Sequence, residues 1–258
     1  MRIKYLKHLL LYIALIMSVA TQAQQLPKLQ KGSIYLIDNV KIDGQNSEFD
    51  NSFQAFNKAT DCFYTIANDD KILYLSIQIR QSEISSKVLN GGITFSIGAN
   101  HDKRDTSFIQ ITFPVLDGGE RGTLMNLLSS AEKRAKESEN KETNVSNLNQ
   151  TFTNSAKTIK TKGIVGSSEQ VGSIYNDKNI LVAAHFDSHV YYTYEIAIPL
   201  TCIKVLGPTK RSFKYNVQLN SPESKKYEPG GAPPAPPVAL SGASSTDFWH
   251  EYTLAAKR

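Results

Sequence analysis

Apolar and polar residues alternate with a period of two in one stretch after another, and this alternation constrains the fold more than any other feature. Leu73, Leu75, Ile77 and Ile79 alternate with Tyr74, Ser76, Gln78 and Arg80. The pattern returns in Ile93, Phe95 and Ile97, in Ile109, Ile111 and Phe113, in Tyr192, Tyr194, Ile196 and Ile198, and in Phe213, Tyr215, Val217 and Leu219. Successive strand side chains point to opposite faces, so each stretch places one face on a core and the other toward water. With apolar runs at 34–40, 63–67, 180–186 and 249–254, the chain predicts about nine strands. Asn68-Asp69-Asp70, Asn90-Gly91-Gly92 and Asn176-Asp177 supply turn residues between them. Many short strands joined by turn-rich segments predict an all-β fold, an antiparallel, jelly-roll-like β-sandwich.

Two stretches depart from this rhythm. Leu124, Leu127, Leu128 and Ala131 fall at helical spacing and predict a short amphipathic helix over 123–137, within an insertion at about 117–162 whose remainder reads as a polar loop. Residues 221–245 hold six of the ten prolines and predict an extended surface loop of polyproline character. That loop serves either as a stiff spacer or as a docking segment for an envelope protein.

The first residues carry the layout of a secretory signal. Arg2, Lys4 and Lys7 precede an apolar run at 9–19, then Thr21-Gln22-Ala23 with a cut expected near Ala23. The run is too short for a comfortable membrane span. The mature chain, 24–258, is therefore expected to be periplasmic or secreted, not membrane-spanning, and a single sandwich domain. Three of the 29 basic residues and none of the 24 acidic ones lie in the leader, so its removal takes the net charge from +5 to +2. No basic stripe remains to suggest nucleic acid. Cys62 and Cys202 both border apolar strand-like sequence, which predicts two buried free thiols.

No catalytic motif stands out: there is no G-x-S-x-G, no H-E-x-x-H, no phosphate-binding glycine loop and no CxxC. An enzyme is the less favoured class. His185 and His189 approach a common metal ion only if the chain turns at Asp187-Ser188; if extended they lie about 13 Å apart. Two polar histidines flanking a turn are the commoner arrangement. Asp69, Asp70, Asp102 and Asp105 sit in predicted turns, and turn chemistry accounts for them; without ordered ligand spacing calcium has no support there, and no cofactor is expected. Glu195 is expected on the water face of its strand. Among aromatic residues, Trp249, Tyr191 and Tyr74 fall on the polar-side register, where flat rings can stack on a sugar; packing accounts for most such rings.

Several segments in order resemble a known family. Val40-Lys41-Ile42-Asp43-Gly44, the hairpin from Ile66 to Leu75, Gly91-Gly92-Ile93-Thr94-Phe95 with the strand ending at Pro114, Tyr194-Glu195-Ile196-Ala197-Ile198-Pro199-Leu200, and Asp247-Phe248-Trp249 with Tyr252-Thr253-Leu254 are similar to the family-nine carbohydrate-binding modules and their DOMON-like relatives in exported Bacteroidetes-type proteins. The resemblance implies a β-sandwich, export and glycan binding. It carries no site across, because the family's sugar-binding members clamp their ligand between two tryptophans and this chain has one. The expected function is a non-catalytic binding module for an extracytoplasmic carbohydrate. The alternatives are an envelope interaction or assembly protein, or a glycan-active enzyme whose site is assembled only in space.

Overall fold

The computed structural model describes residues 26–37, 40–99, 108–137, 141–164, 168–203, 205–206, 209–221 and 244–257. The leader, His101, Asp102, Asp105 and most of the Pro-rich stretch lie outside them. Among the described residues, eleven strands form two antiparallel sheets. One sheet holds β1 (Ala55–Asn57), β2 (Cys62–Asn68), β3 (Ile72–Ile79), β8 (Leu181–Phe186) and β9 (Tyr192–Pro199), in the order β1-β2-β3-β9-β8. The other holds β4 (Ile93–Gly98), β5 (Ile109–Phe113), β6 (Thr158–Lys162), β7 (Gln170–Ser173), β10 (Ser212–Leu219) and β11 (Thr246–Thr253), in the order β11-β10-β4-β5-β6-β7.

The alternation read from sequence sets which side chains meet between the sheets. Leu73, Leu75, Ile77 and Ile79 of β3 and Tyr192, Tyr194, Ile196 and Ile198 of β9 share one core with Phe95, Ile111, Tyr215 and Val217 of the facing sheet. Tyr215 donates to the Tyr64 hydroxyl across the core at 3.4 Å, and the Tyr64 ring lies 4.9 Å from Phe248.

Of the expected strands, 34–40 shows none among its described residues, 34–37 and 40. Its pairing is a single parallel bridge, Tyr35 to Asn68, because the edge of β2 is occupied otherwise. The Gln30 side chain accepts from Ile66 N–H and donates to Ile66 C=O, each at 2.8 Å. The opposite edge of this sheet is closed in the same way, with Asn149 accepting from Phe186 N–H and donating to Phe186 C=O, both at 2.8 Å. Two side-chain amides thus satisfy backbone groups that would otherwise be open to another strand.

The three α-helices among the described residues are only partly legible in the sequence. α1 (Ser82–Gly91) packs Val88 and Leu89 on the core. α2 (Gly118–Glu137) starts five residues earlier than the Leu spacing suggests, because Asp117 and Glu120 form a capping box: Glu120 N–H donates to Asp117 Oδ1 at 2.8 Å and Asp117 N–H to Glu120 Oε2 at 2.9 Å. The stretch expected to be a loop contains a second helix, α3 (Lys141–Ser155), and then β6, which pairs with β5. Val145, Leu148 and Phe152 put one apolar stripe of α3 on the core. The Phe152 ring sits 5.9–6.1 Å from those of Tyr192, Phe186 and Phe113, closing the core where β5 faces β8 and β9.

Candidate functional site

The outer face of the six-stranded sheet carries two rows of side chains set by strand register. One row runs Asp247, Gln218, Thr94, Thr112, Lys160; the next runs Trp249, Asn216, Ser96, Gln110, Lys162. These are the polar members of the alternation, and Gln218, Thr94, Thr112, Lys160 and Gln110 among them line a groove of about 460 Å³. Asn220, just past β10, ties its floor together. Its amide donates to Thr94 Oγ1 and to Gly91 C=O, both at 2.9 Å, and its carbonyl accepts from Gln218 at 2.9 Å. Thr94 and Thr112 share a 2.7 Å hydroxyl contact. Asn216 donates to Asp247 Oδ2 at 2.9 Å and Gln110 to Ser96 Oγ at 3.3 Å. Arg121 reaches the rim and donates to Asn90 C=O at 3.2 Å. Ser221 and Ser245, which bracket the Pro-rich stretch, also line it.

An aromatic pair stands at one side of these rows. The partly exposed Trp249 ring meets Phe108 edge to face at 5.2 Å. Phe108 lies over Gly98: a Cβ there would fall 2.2 Å from its ring carbons, so the missing side chain makes room for the ring. The groove is otherwise rich in neutral donors and acceptors. Among the described lining residues the one carboxylate, Glu169, is ion-paired with Lys160 at 2.7 Å, and that bond holds it below the usual carboxylate range. A glycosidase-type pair of carboxylates is not among the described lining residues.

The structure does not bring the three candidate aromatic residues together. Trp249 lies on the row of Asn216, Ser96 and Gln110 on the same sheet face, and of that row Gln110 lines the groove. Tyr191 is on the other sheet's side, stacked on His189 at 5.4 Å with the Arg80 guanidinium 5.5 Å from its ring. Tyr74 is buried, and its hydroxyl donates to Asp69 at 2.7 Å, so it presents no ring to a ligand. The chain does turn at 187–190, where Val190 N–H bonds Asp187 C=O at 2.8 Å. His185 lies half-buried on β8, and burial pushes its imidazole below the ordinary value; His189 is exposed, 4.0 Å from Asp187. Among the described residues, no group of three or more His, Cys, Asp or Glu is placed to hold a metal ion.

Glu195 corrects its sequence reading outright. It is 1 % exposed. The segment 43–46 lies across the outer face of its sheet, and Glu195 Oε2 accepts from Asp43 N–H at 3.1 Å and Gly44 N–H at 2.9 Å. Asn46 in the same segment accepts from Ser76 Oγ at 2.8 Å. Period two places Glu195 correctly on the outer face, but that face is roofed by this strap. The sequence signal for the strap is the Asp43-Gly44 pair: glycine is required where the strap, at φ +82°, passes directly over the Ala184–His185 backbone.

No family model matches the sequence, and no curated protein is significantly similar to it. Among solved structures, the chain is similar to a family-nine carbohydrate-binding module from Caldicellulosiruptor kristjanssonii in complex with glucose. The identity is 11 % and the TM-score 0.39, with 88 % of this chain and 97 % of that one covered. Among the described residues, no helix is long and apolar enough to cross a membrane.

Proposed function

We propose that this chain is an exported, non-catalytic binding module for a neutral carbohydrate, held in the groove on the six-stranded sheet. The observation that carries the reading is the composition of that groove, amides and hydroxyls fixed by one another, with the Phe108–Trp249 pair further along the same sheet face. Sugar hydroxyls both donate and accept, which suits Gln218, Asn220, Thr94, Thr112 and Gln110. The apolar face of a pyranose suits an indole ring. Because these side chains are already held by Asn220 and by their register partners, little ordering cost remains for binding. Export rests on the leader at 1–23. A glycan array tests the reading. Neutral oligosaccharides should be retained by the protein and released intact, and Trp249→Ala should lose them with its fold unchanged. Retention that is indifferent to Trp249→Ala, or turnover of the captured glycan, would overturn it.

A further inference from the structure

We propose that a second cleft, on the outer side of the five-stranded sheet, is a separate binding site for a single uncharged sugar residue. It stands independently of the groove and shares no residue with it. The cleft encloses about 520 Å³, within the roughly 300–1,000 Å³ of small-ligand pockets. Its floor is Gln78 and Thr193, register partners on β3 and β9 joined by a 3.3 Å amide-to-hydroxyl bond. The strap 44–46 makes one wall and α3 the other.

Both walls are fixed before any ligand arrives. The strap is pinned by Glu195 on Gly44 N–H, and Asn46 donates to Ser52 C=O at 2.9 Å while accepting from Ser76. The α3 wall is pinned by the two bonds of Asn149 to the Phe186 backbone. Three segments far apart in sequence therefore converge on a pre-formed concavity, which lowers the cost of binding.

The chemistry of the lining selects the ligand. Among the described lining residues there is no lysine or arginine. The one carboxylate, Asp187, already accepts from His189 N–H at 2.8 Å and Tyr191 N–H at 2.9 Å through Oδ1. Burial favours the neutral imidazole of His185, with one ring nitrogen donating and the other accepting. Gln45, Asn51, Ser146 and Ser188 add further uncharged donors and acceptors. An anion would find no counter-charge in this set, and a cation would find only the Asp187 carboxylate, one oxygen of which is already taken by two backbone N–H groups. A flat apolar ligand would leave several groups unpaired at about 1–3 kcal/mol each. Hydroxyls, each a donor and an acceptor, match it.

The test is an NMR titration of isotope-labelled protein with glucose, galactose and N-acetylglucosamine, each alone, up to tens of millimolar. At least one sugar should produce saturable shifts at the Gly44, Gln45 and Ser188 amides and the His185 ring, in wild type and Trp249→Ala alike. Ser146→Trp, from an exposed position on α3, and Gln45→Trp, from the exposed edge of the strap, should each plug the cleft and weaken that response at least tenfold. No shift at these residues with any of the three sugars, or shifts that survive both plugs, would overturn the proposal. Loss of groove binding with these shifts intact would sink the groove reading and support this one.

Discussion

Replacing Glu195 by Gln isolates one electrostatic cost of this fold. Glu195 is buried under the strap, and burial pushes its carboxyl from 4.5 to about 8; the Asp43 and Gly44 N–H bonds oppose the rise, and the Glu48 and Asp43 charges add to it. In the unfolded chain the group loses its proton near 4.5, whereas in the folded chain it keeps it to about 8. Through that window the unfolded state binds fewer protons, so stability falls as pH rises, by about 1.4 kcal/mol per unit. The total is at most about 5 kcal/mol, complete at pH 8 and absent below pH 4.5. The glutamine of Glu195→Gln cannot ionise, and its carbonyl oxygen accepts the same two N–H groups. Urea unfolding of both proteins across this pH range reads the difference. The two should be closest in stability at the acid end, and the variant should gain on wild type by about 3 kcal/mol by pH 7. Parallel profiles for the two proteins would refute the reasoning.

Three further outcomes follow from packing. Gly44→Ala places a Cβ 2.6 Å from the Ala184 carbonyl carbon and the His185 nitrogen at φ +82°, so it should cost about 1–3 kcal/mol from backbone strain alone, with more from the clash, in chemical denaturation. Phe152→Ala empties the ring cluster between α3 and β5, β8 and β9 and should destabilise by about 3–5 kcal/mol on the same measurement. Cys62 and Cys202 are unpaired and buried, and burial pushes the Cys62 thiol up to about 12. Thiol titration should therefore count two after denaturation without reductant, with Cys62 silent in the native protein; a count of zero in monomer would contradict this.

What the sequence makes legible is what period two encodes. Strands β2 to β5 and β8 to β11 are readable because each puts apolar side chains on one face of a packed sheet. β7 is not, since all its residues are exposed and it pairs by backbone alone. α3 is hidden because Val145, Leu148 and Phe152 stand among Asn, Ser and Thr, whose weak helix propensity is overridden by packing against the core. Of the candidate site, Trp249 is found by its polar-side register, but its companions are not. Thr94, Thr112, Gln218 and Asn220 look like ordinary solvent-facing residues, and only the register of three strands, β4, β5 and β10, lines them up. Tyr74 and Glu195 share that polar side and are nonetheless buried, because alternation tells which face a residue takes and not what covers it.

Trp249 is the one tryptophan of the chain and stands on the same sheet face as the groove, so its emission reports on that face without labels. Fluorescence titration with neutral oligosaccharides, run beside calorimetry on the same samples, tests the central claim most directly. A saturable change in emission should track the calorimetric isotherm and be lost when Asn220→Ala or Gln218→Ala breaks the floor of the groove. Heat of binding that saturates while the emission of Trp249 stays constant, and that both variants leave untouched, would contradict it.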